Sequence, residues 1–117
     1  LAITLGDRPV VSEFVAAGRD VPHEVTGSTG FRNPDNLARD AAGNLWIAED
    51  NAPSDIWVAA PDANGDGRAD QVALFGSLST PGAEASGIYF GTDPATLFVN
   101  VQHSADANDM TLAVSRK

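Results

Sequence analysis

What most limits the fold of this chain is its punctuation: short apolar runs rich in β-branched and aromatic residues recur between clusters of Gly, Pro, Asn and Asp. Runs so bounded read as strands joined by turns, and no helix is demanded anywhere. The chain is therefore expected to be all-β. Strands are placed at about Val10 to Val15, Leu37 to Asp40, Asn44 to Glu49, Asp55 to Ala60, Gln71 to Phe75, Gly87 to Phe90, Leu97 to Gln102 and Met110 to Ser115. A short helical turn is allowed only at Ala83 to Ser86 or Val11 to Arg19. Ala41-Ala42-Gly43 supplies a glycine for the positive φ of a tight hairpin with a bulge, and Gly91-Thr92-Asp93-Pro94 is read the same way.

Two hairpins look related. Asn36 to Asp40 runs into Leu45 to Ala48, and Gly87 to Phe90 runs into Leu97 to Asn100, with Leu45 and Leu97 standing 52 positions apart. A period near 50 residues with about four strands per unit is the pattern of propeller blades. The predicted architecture is thus antiparallel, β-propeller-like, with approximate blades at 31–76 and 84–115 in one partial domain spanning 1–117. A weaker echo relates Phe14 and Glu24-Val25-Thr26-Gly27 to Phe75 and Glu84-Ala85-Ser86-Gly87. Trp46, Trp57, Phe75, Phe90 and Phe98 fall at strand positions and are expected in the blade core. About two blades do not close a ring, so 117 residues opening on Leu1 rather than Met and ending Ser115-Arg116-Lys117 are expected to be a piece of a larger propeller.

Charge restricts the partners. Sixteen Asp and Glu against seven Lys and Arg give a formal charge of −9, which repels phosphate backbones and anionic lipid. Nucleic acid is excluded on that ground, and no stretch approaches the roughly 18 apolar residues of a membrane span. The same carboxylates would be partly neutralised by divalent cations. With no Cys in the chain, neither a disulfide framework nor a thiolate metal site exists here. No basic segment followed by an apolar one marks a signal peptide, so any such segment is expected to have been removed.

The most specific local pattern is Asp62-Ala63-Asn64-Gly65-Asp66-Gly67-Arg68-Ala69-Asp70, with oxygen side chains at loop positions 1, 3, 5 and 9 and Gly at 6. Calcium takes about 6 to 8 oxygens at about 2.3 to 2.6 Å, and alternate side chains of a tightly turning loop converge on such an ion. Asp62, Asn64, Asp66 and Asp70 are expected to supply side-chain oxygens, and Arg68 its carbonyl. Position 12 is Ala73, so the bidentate Glu of a helical EF-hand is missing and the loop is strand-linked. The alternative is an Asx- and Gly-rich hairpin facing solvent. Three aspartates and an asparagine within nine residues favour the cation. Such loops resemble those of integrin-type propeller repeats, which implies that the ion stiffens a hairpin.

A second group of oxygens lies at strand ends. Asp35 and Asn36 precede one strand, Glu49, Asp50 and Asn51 follow the next, and Glu84 precedes the first strand of the second unit. Antiparallel strands of similar length bring these mouths to one end, where Asp35, Glu49, Asp50 and Glu84 can share a metal site.

In Pro34-Asp35-Asn36-Leu37, Gly43-Asn44-Leu45-Trp46-Ile47, Glu49-Asp50-Asn51, Glu84-Ala85-Ser86-Gly87 and Leu97 to His103, the sequence resembles the carboxy-terminal region of the PhoX-type alkaline phosphatases, a calcium-dependent propeller family exported by bacteria. The likeness runs from about Phe31 to Ser115. It implies a phosphoester hydrolase, secreted or periplasmic, whose centre combines calcium ions with iron. By that analogy Glu84 and the Glu49-Asp50 pair are the best ligand candidates, with Asp35 next. Departures are Glu84-Ala85-Ser86-Gly87 where the family commonly has Glu-Val-Thr-Gly, and Asp50-Asn51 where it has Asp-Gly. The cysteine iron ligand implied by the family has no counterpart here and would lie outside these residues.

Catalytic residues are not assigned, since Ser79, Ser86 and Ser104 form no recognisable triad pattern and no phosphate loop is present. His103 ends the second hairpin and is read as a hydrogen-bonded structural residue, His23 as an unengaged loop residue, and Arg32 and Arg39 as solvated rather than a phosphate clamp. Two other readings stay open: a noncatalytic calcium-stabilised propeller or adhesion module, and a gluconolactonase-like hydrolase. Alone, the chain is expected to be inactive and to self-associate through open sheet edges.

Overall fold

The computed structural model of the chain describes residues 1–21 and 30–115. The Glu24 to Gly27 echo, His23, Arg116 and Lys117 lie outside the described residues. Nine strands occur among them: β1 (Ala2–Thr4), β2 (Val10–Ser12), β3 (Pro34–Arg39), β4 (Leu45–Glu49), β5 (Asp55–Ala59), β6 (Val72–Ser77), β7 (Glu84–Phe90), β8 (Thr96–Gln102) and β9 (Met110–Ser115). No helix is present among the described residues. Every strand pair is antiparallel, in a two-stranded sheet β1-β2, a four-stranded sheet β3-β4-β5-β6 and a three-stranded sheet β7-β8-β9.

The four-stranded sheet is apolar on both faces, which is why β4 (LWIAE) and β5 (DIWVA) read as nearly unbroken apolar runs instead of alternating ones. Toward the three-stranded sheet it contributes Ala48 and Ile56 to a core completed by Ala83, Ala85, Ile88, Leu97, Val99 and Val101. On its other face Ile47, Trp57 and Ala59 pack with Val21 and Phe31, and Phe14 and Val15 join them. The two large sheets meet where β3 and β4 lie against β7. Trp57, at 1% exposure, is the largest fully buried side chain and meets Phe31 edge-on at 5.9 Å.

The two hairpins correspond more closely than their sequences suggest. Each first strand is interrupted near its start, with Asp35 passed over in β3 and Gly87 in β7, 52 positions apart. Glu49 then pairs with Pro34, and Gln102 with Glu84, so the strand mouths of both units open at one end.

Five expectations are corrected. The hairpin β1-β2 includes a strand, β1, that the sequence reading left unassigned. β3 and β7 begin at Pro34 and Glu84, earlier than read, because the bulges let pairing continue past the polar residues. That also removes the helical turn allowed at Ala83 to Ser86. Gly43 does adopt a positive φ of 91°, but Gly91 does not; a Cβ on Gly91 would stand 2.9 Å from the Phe98 ring, so close approach explains that glycine. Phe75 is 48% exposed rather than core, since β6 is an edge strand whose ring covers Trp46 edge-on at 4.8 Å.

Candidate metal centre

The strand mouths set Asp50 against Glu84, with Asp35 at the neighbouring bulge. Asp35 stands at the β3 bulge with the Asn36 amide donating to its carboxylate, and the Asn36 carbonyl oxygen accepts the Gly87 backbone N–H at 3.1 Å, which ties β3 to β7. That bond brings the start of one hairpin beside the start of the other. Asp50, just past β4, interacts with Glu84, the first residue of β7, strongly enough for each carboxyl to shift the other. Glu84 Oε2 also lies 3.1 Å from His103 Nδ1 and accepts from the Gln102 amide at 3.4 Å.

Electrostatics follow from this crowding. The hydrogen bond to Glu84 and the charge of Glu84 push the Asp50 carboxyl above the usual carboxylate range, with burial and Asp35 adding to the effect and His103 opposing it. Glu84 is held below that range, first by the bond from Asp50, against burial, and then by His103 and Gln102. The two carboxyls thus titrate as a coupled pair. Among the described residues no three His, Asp or Glu side chains are gathered tightly enough to hold an ion by themselves.

Glu49 is placed differently from its neighbours. It is fully buried and points into the core, where Oε1 accepts the Trp57 indole N–H and the Arg32 backbone N–H, both at 2.8 Å, and Oε2 accepts the Asn51 amide at 3.0 Å. Burial pushes its carboxyl upward, and the three donors oppose that without cancelling it. The structure therefore sets Asp50 and Glu84 against each other, with Asp35 contributing only its charge, and turns Glu49 into the core. His103, expected as a hydrogen-bonded structural residue, makes that bond with Glu84 from directly after β8, the place Asp50 takes after β4.

The Asp62 to Asp70 loop joins β5 to β6 and is closed by the Ala60 N–H donating to the Gln71 carbonyl at 2.8 Å. Asp62 organises it. Its Oδ1 accepts from the N–H groups of Gly65 (2.7 Å) and Asp66 (3.1 Å), and its Oδ2 from Gly67 (2.7 Å). Asn64 Oδ1 accepts the Asp66 N–H at 2.8 Å, Asp66 Oδ1 the Arg68 N–H at 2.9 Å, and Asp70 the Ala63 N–H at 3.1 Å and the Asn64 amide at 3.3 Å. Carboxylates have about four acceptor sites each, so these bonds leave capacity for a cation. Gly67 has φ 85°, and a Cβ there would meet Ser12 of β2 at 2.9 Å or less, so the loop needs glycine for its turn and for the strand lying against it. The Ala69 N–H donates to the Phe14 carbonyl at 3.0 Å, fastening the amino-terminal segment to the same loop.

An all-β scaffold with Asp50 and Glu84 at its strand mouths defines a class: an antiparallel β-sheet protein with an acidic end. Comparison with family models places it further. The model of alkaline phosphatase PhoX matches residues 5–105, and the chain belongs to that family. Neither curated proteins nor solved structures gave a match.

Proposed function

We propose that the chain is the metal-binding part of an exported PhoX-type phosphoester hydrolase, a partial propeller of about two blades that is inactive alone. The observation that carries this reading is the Asp50–Glu84 carboxyl pair, which spans the two sheets beside Asp35. Asp35, Asp50 and Glu84 would hold calcium, with Glu49 behind them fastening the end of β4. Gln102 and His103 fix the Glu84 carboxylate, and Asn36 keeps β7 against β3. A divalent cation there supplies positive charge for the phosphoryl oxygens of a substrate. Iron in the complete enzyme would need ligands from outside this chain, which has no Cys. The Asp62 to Asp70 loop holds a separate calcium that stiffens the β5-β6 hairpin, with Arg68 contributing its carbonyl.

Calcium calorimetry on the chain tests both sites. Asp50→Asn with Glu84→Gln should remove one class of site, and Asp62→Asn with Asp66→Asn the other. Unchanged binding in the first variant would favour a noncatalytic module whose loop is its sole calcium site. A complete polypeptide carrying these residues that turns over no phosphoester with calcium and iron would end the hydrolase reading.

A further inference from the structure

The chain has one Asn-Gly step, Asn64-Gly65, and one Asp-Gly step, Asp66-Gly67, and both lie in the loop between β5 and β6. In such a step the backbone nitrogen of the glycine, unshielded by any Cβ, can attack the side-chain carbonyl carbon of the residue before it. Asn64 and Gly65 are both exposed, and nothing lies within 4 Å of the place where a Cβ on Gly65 would stand. The loop nevertheless occupies every group that the attack needs. The Gly65 N–H donates to Asp62 Oδ1 at 2.7 Å, the Asn64 carbonyl oxygen accepts the Asp66 N–H at 2.8 Å, and the Asn64 amide donates to Asp70 Oδ1 at 3.3 Å. At the second step the Gly67 N–H is taken by the other oxygen of Asp62, also at 2.7 Å. One carboxylate thus holds both nucleophilic nitrogens.

We propose that Asn64-Gly65 is a self-modification site, converted by water to aspartate or isoaspartate, and that Asp62 holds it closed. When the loop opens, the Gly65 nitrogen bonds to Asn64 Cγ and the Cγ–Nδ2 bond breaks. Nδ2 leaves as ammonia with the proton that Gly65 gives up, and a cyclic imide remains. Water then opens the imide. Cleavage between the Gly65 nitrogen and Cγ gives aspartate; cleavage at the main-chain carbonyl gives isoaspartate, whose chain runs through Cβ and Cγ. Nothing is oxidised or reduced. The first product adds a carboxylate beside Asp62, Asp66 and Asp70. The second adds a carbon to the main chain and breaks the turn in which Asn64 accepts the Asp66 N–H. It also shifts the residues that follow, Gly67 lying against Ser12 and Ala69 bonded to Phe14, and so loosens the amino-terminal hairpin from the loop. The inference needs no cation in the loop and is independent of the metal reading.

The 117-residue chain is incubated with a chelator at mildly alkaline pH, and ammonia release and a gain of about 1 Da at Asn64 are followed by peptide mass mapping. Because attack requires the Gly65 N–H to leave Asp62, the folded chain should convert about tenfold more slowly than the same chain in urea. Asp62→Ala should recover most of that factor. Asp62→Asn, which keeps a single acceptor oxygen for the two N–H groups, should fall between, and it carries the test if Asp62→Ala unfolds. Hydrogen exchange at Gly65 should rise by matching factors, while slow exchange in β4 and β5 shows that the sheet stays folded. Conversion at equal rates in the folded chain and in urea overturns the proposal. So does a folded Asp62 variant that converts no faster than the unaltered chain; slower conversion would make Asp62 a base that promotes the attack.

Discussion

The carboxyl of Asp50 meets the carboxyl of Glu84 across the seam between the two large sheets, and each shifts the other. With Asp50 raised and Glu84 lowered, the pair favours the folded state best when it holds one proton. Glu84's share of stability is lost as pH falls through its lowered value, and Asp50's share is lost as pH rises through its raised one. Calcium bound there competes with protonation of Asp50, so binding should release protons and tighten as pH rises through the Asp50 range. Calorimetry in buffers of different ionisation heat checks this. Binding heats that are independent of buffer between mildly acidic and neutral pH would rule out calcium at this pair.

Glu49 and Trp57 make a second, contrasting case, since the carboxylate is buried and accepts the indole N–H at 2.8 Å. Glu49→Ala strands the indole and the Arg32 N–H without an acceptor and should lower unfolding stability by about 3 kcal/mol. Glu49→Gln keeps one acceptor and should lose about half as much. Denaturant unfolding measures both. If Glu49→Gln instead abolishes calcium binding at little loss of stability, Glu49 is a ligand and not a fastening for the β4 end.

How much of this was legible in the sequence depends on range. Eight strands could be read because β-branched and aromatic runs stood between turn residues. β1 was missed, being only three residues long and partnered by another three-residue strand. The hairpin mouths were predictable because antiparallel pairing fixes which ends meet. Asp50 facing Glu84 therefore followed from topology. Whether Glu49 faced the mouth or the core did not, because neighbouring strand residues alternate in direction and only the packing of Trp57 decides which way the carboxylate turns. The likeness of Gln102-His103 to the family could be seen, yet the contact of His103 with Glu84 depends on a bulge at Gly87 that no composition rule reveals.

At the opposite end of the first hairpin, Asp40 accepts the Trp46 indole N–H at 3.0 Å and both the backbone and side-chain N–H groups of Asn44 at 2.8 Å. Burial works to raise the carboxyl, but these bonds outweigh it and hold Asp40 below the usual range. A lowered carboxylate contributes stability above its unfolded value and loses it as pH falls through its folded value. Asp40→Asn should therefore destabilise the chain by about 1 to 2 kcal/mol at neutral pH and flatten the acid limb of its stability profile. Thermal melts from neutral pH to pH about 3 would show it, and an acid limb as steep as that of the unaltered chain would discount the Asp40 contacts.

Gly67 couples the acidic loop to the amino-terminal hairpin, so its substitution should be felt at two places. Alanine there must adopt a left-handed backbone, at about 1 to 2 kcal/mol, and must also push Ser12 away from a contact of 2.9 Å or less. Gly67→Ala is expected to lower stability by about 2 kcal/mol and to raise hydrogen exchange at Ala69, whose N–H is held by Phe14. Gly65 also has a positive φ, 78°, but nothing lies within 4 Å of its would-be Cβ. Gly65→Ala should therefore carry the backbone penalty alone and leave exchange at Ala69 unchanged. If calcium occupies the loop, saturating it should raise the stability of the unaltered chain and of both variants, since binding to the folded loop stabilises by mass action. No rise in any of the three would mean that the loop binds no calcium.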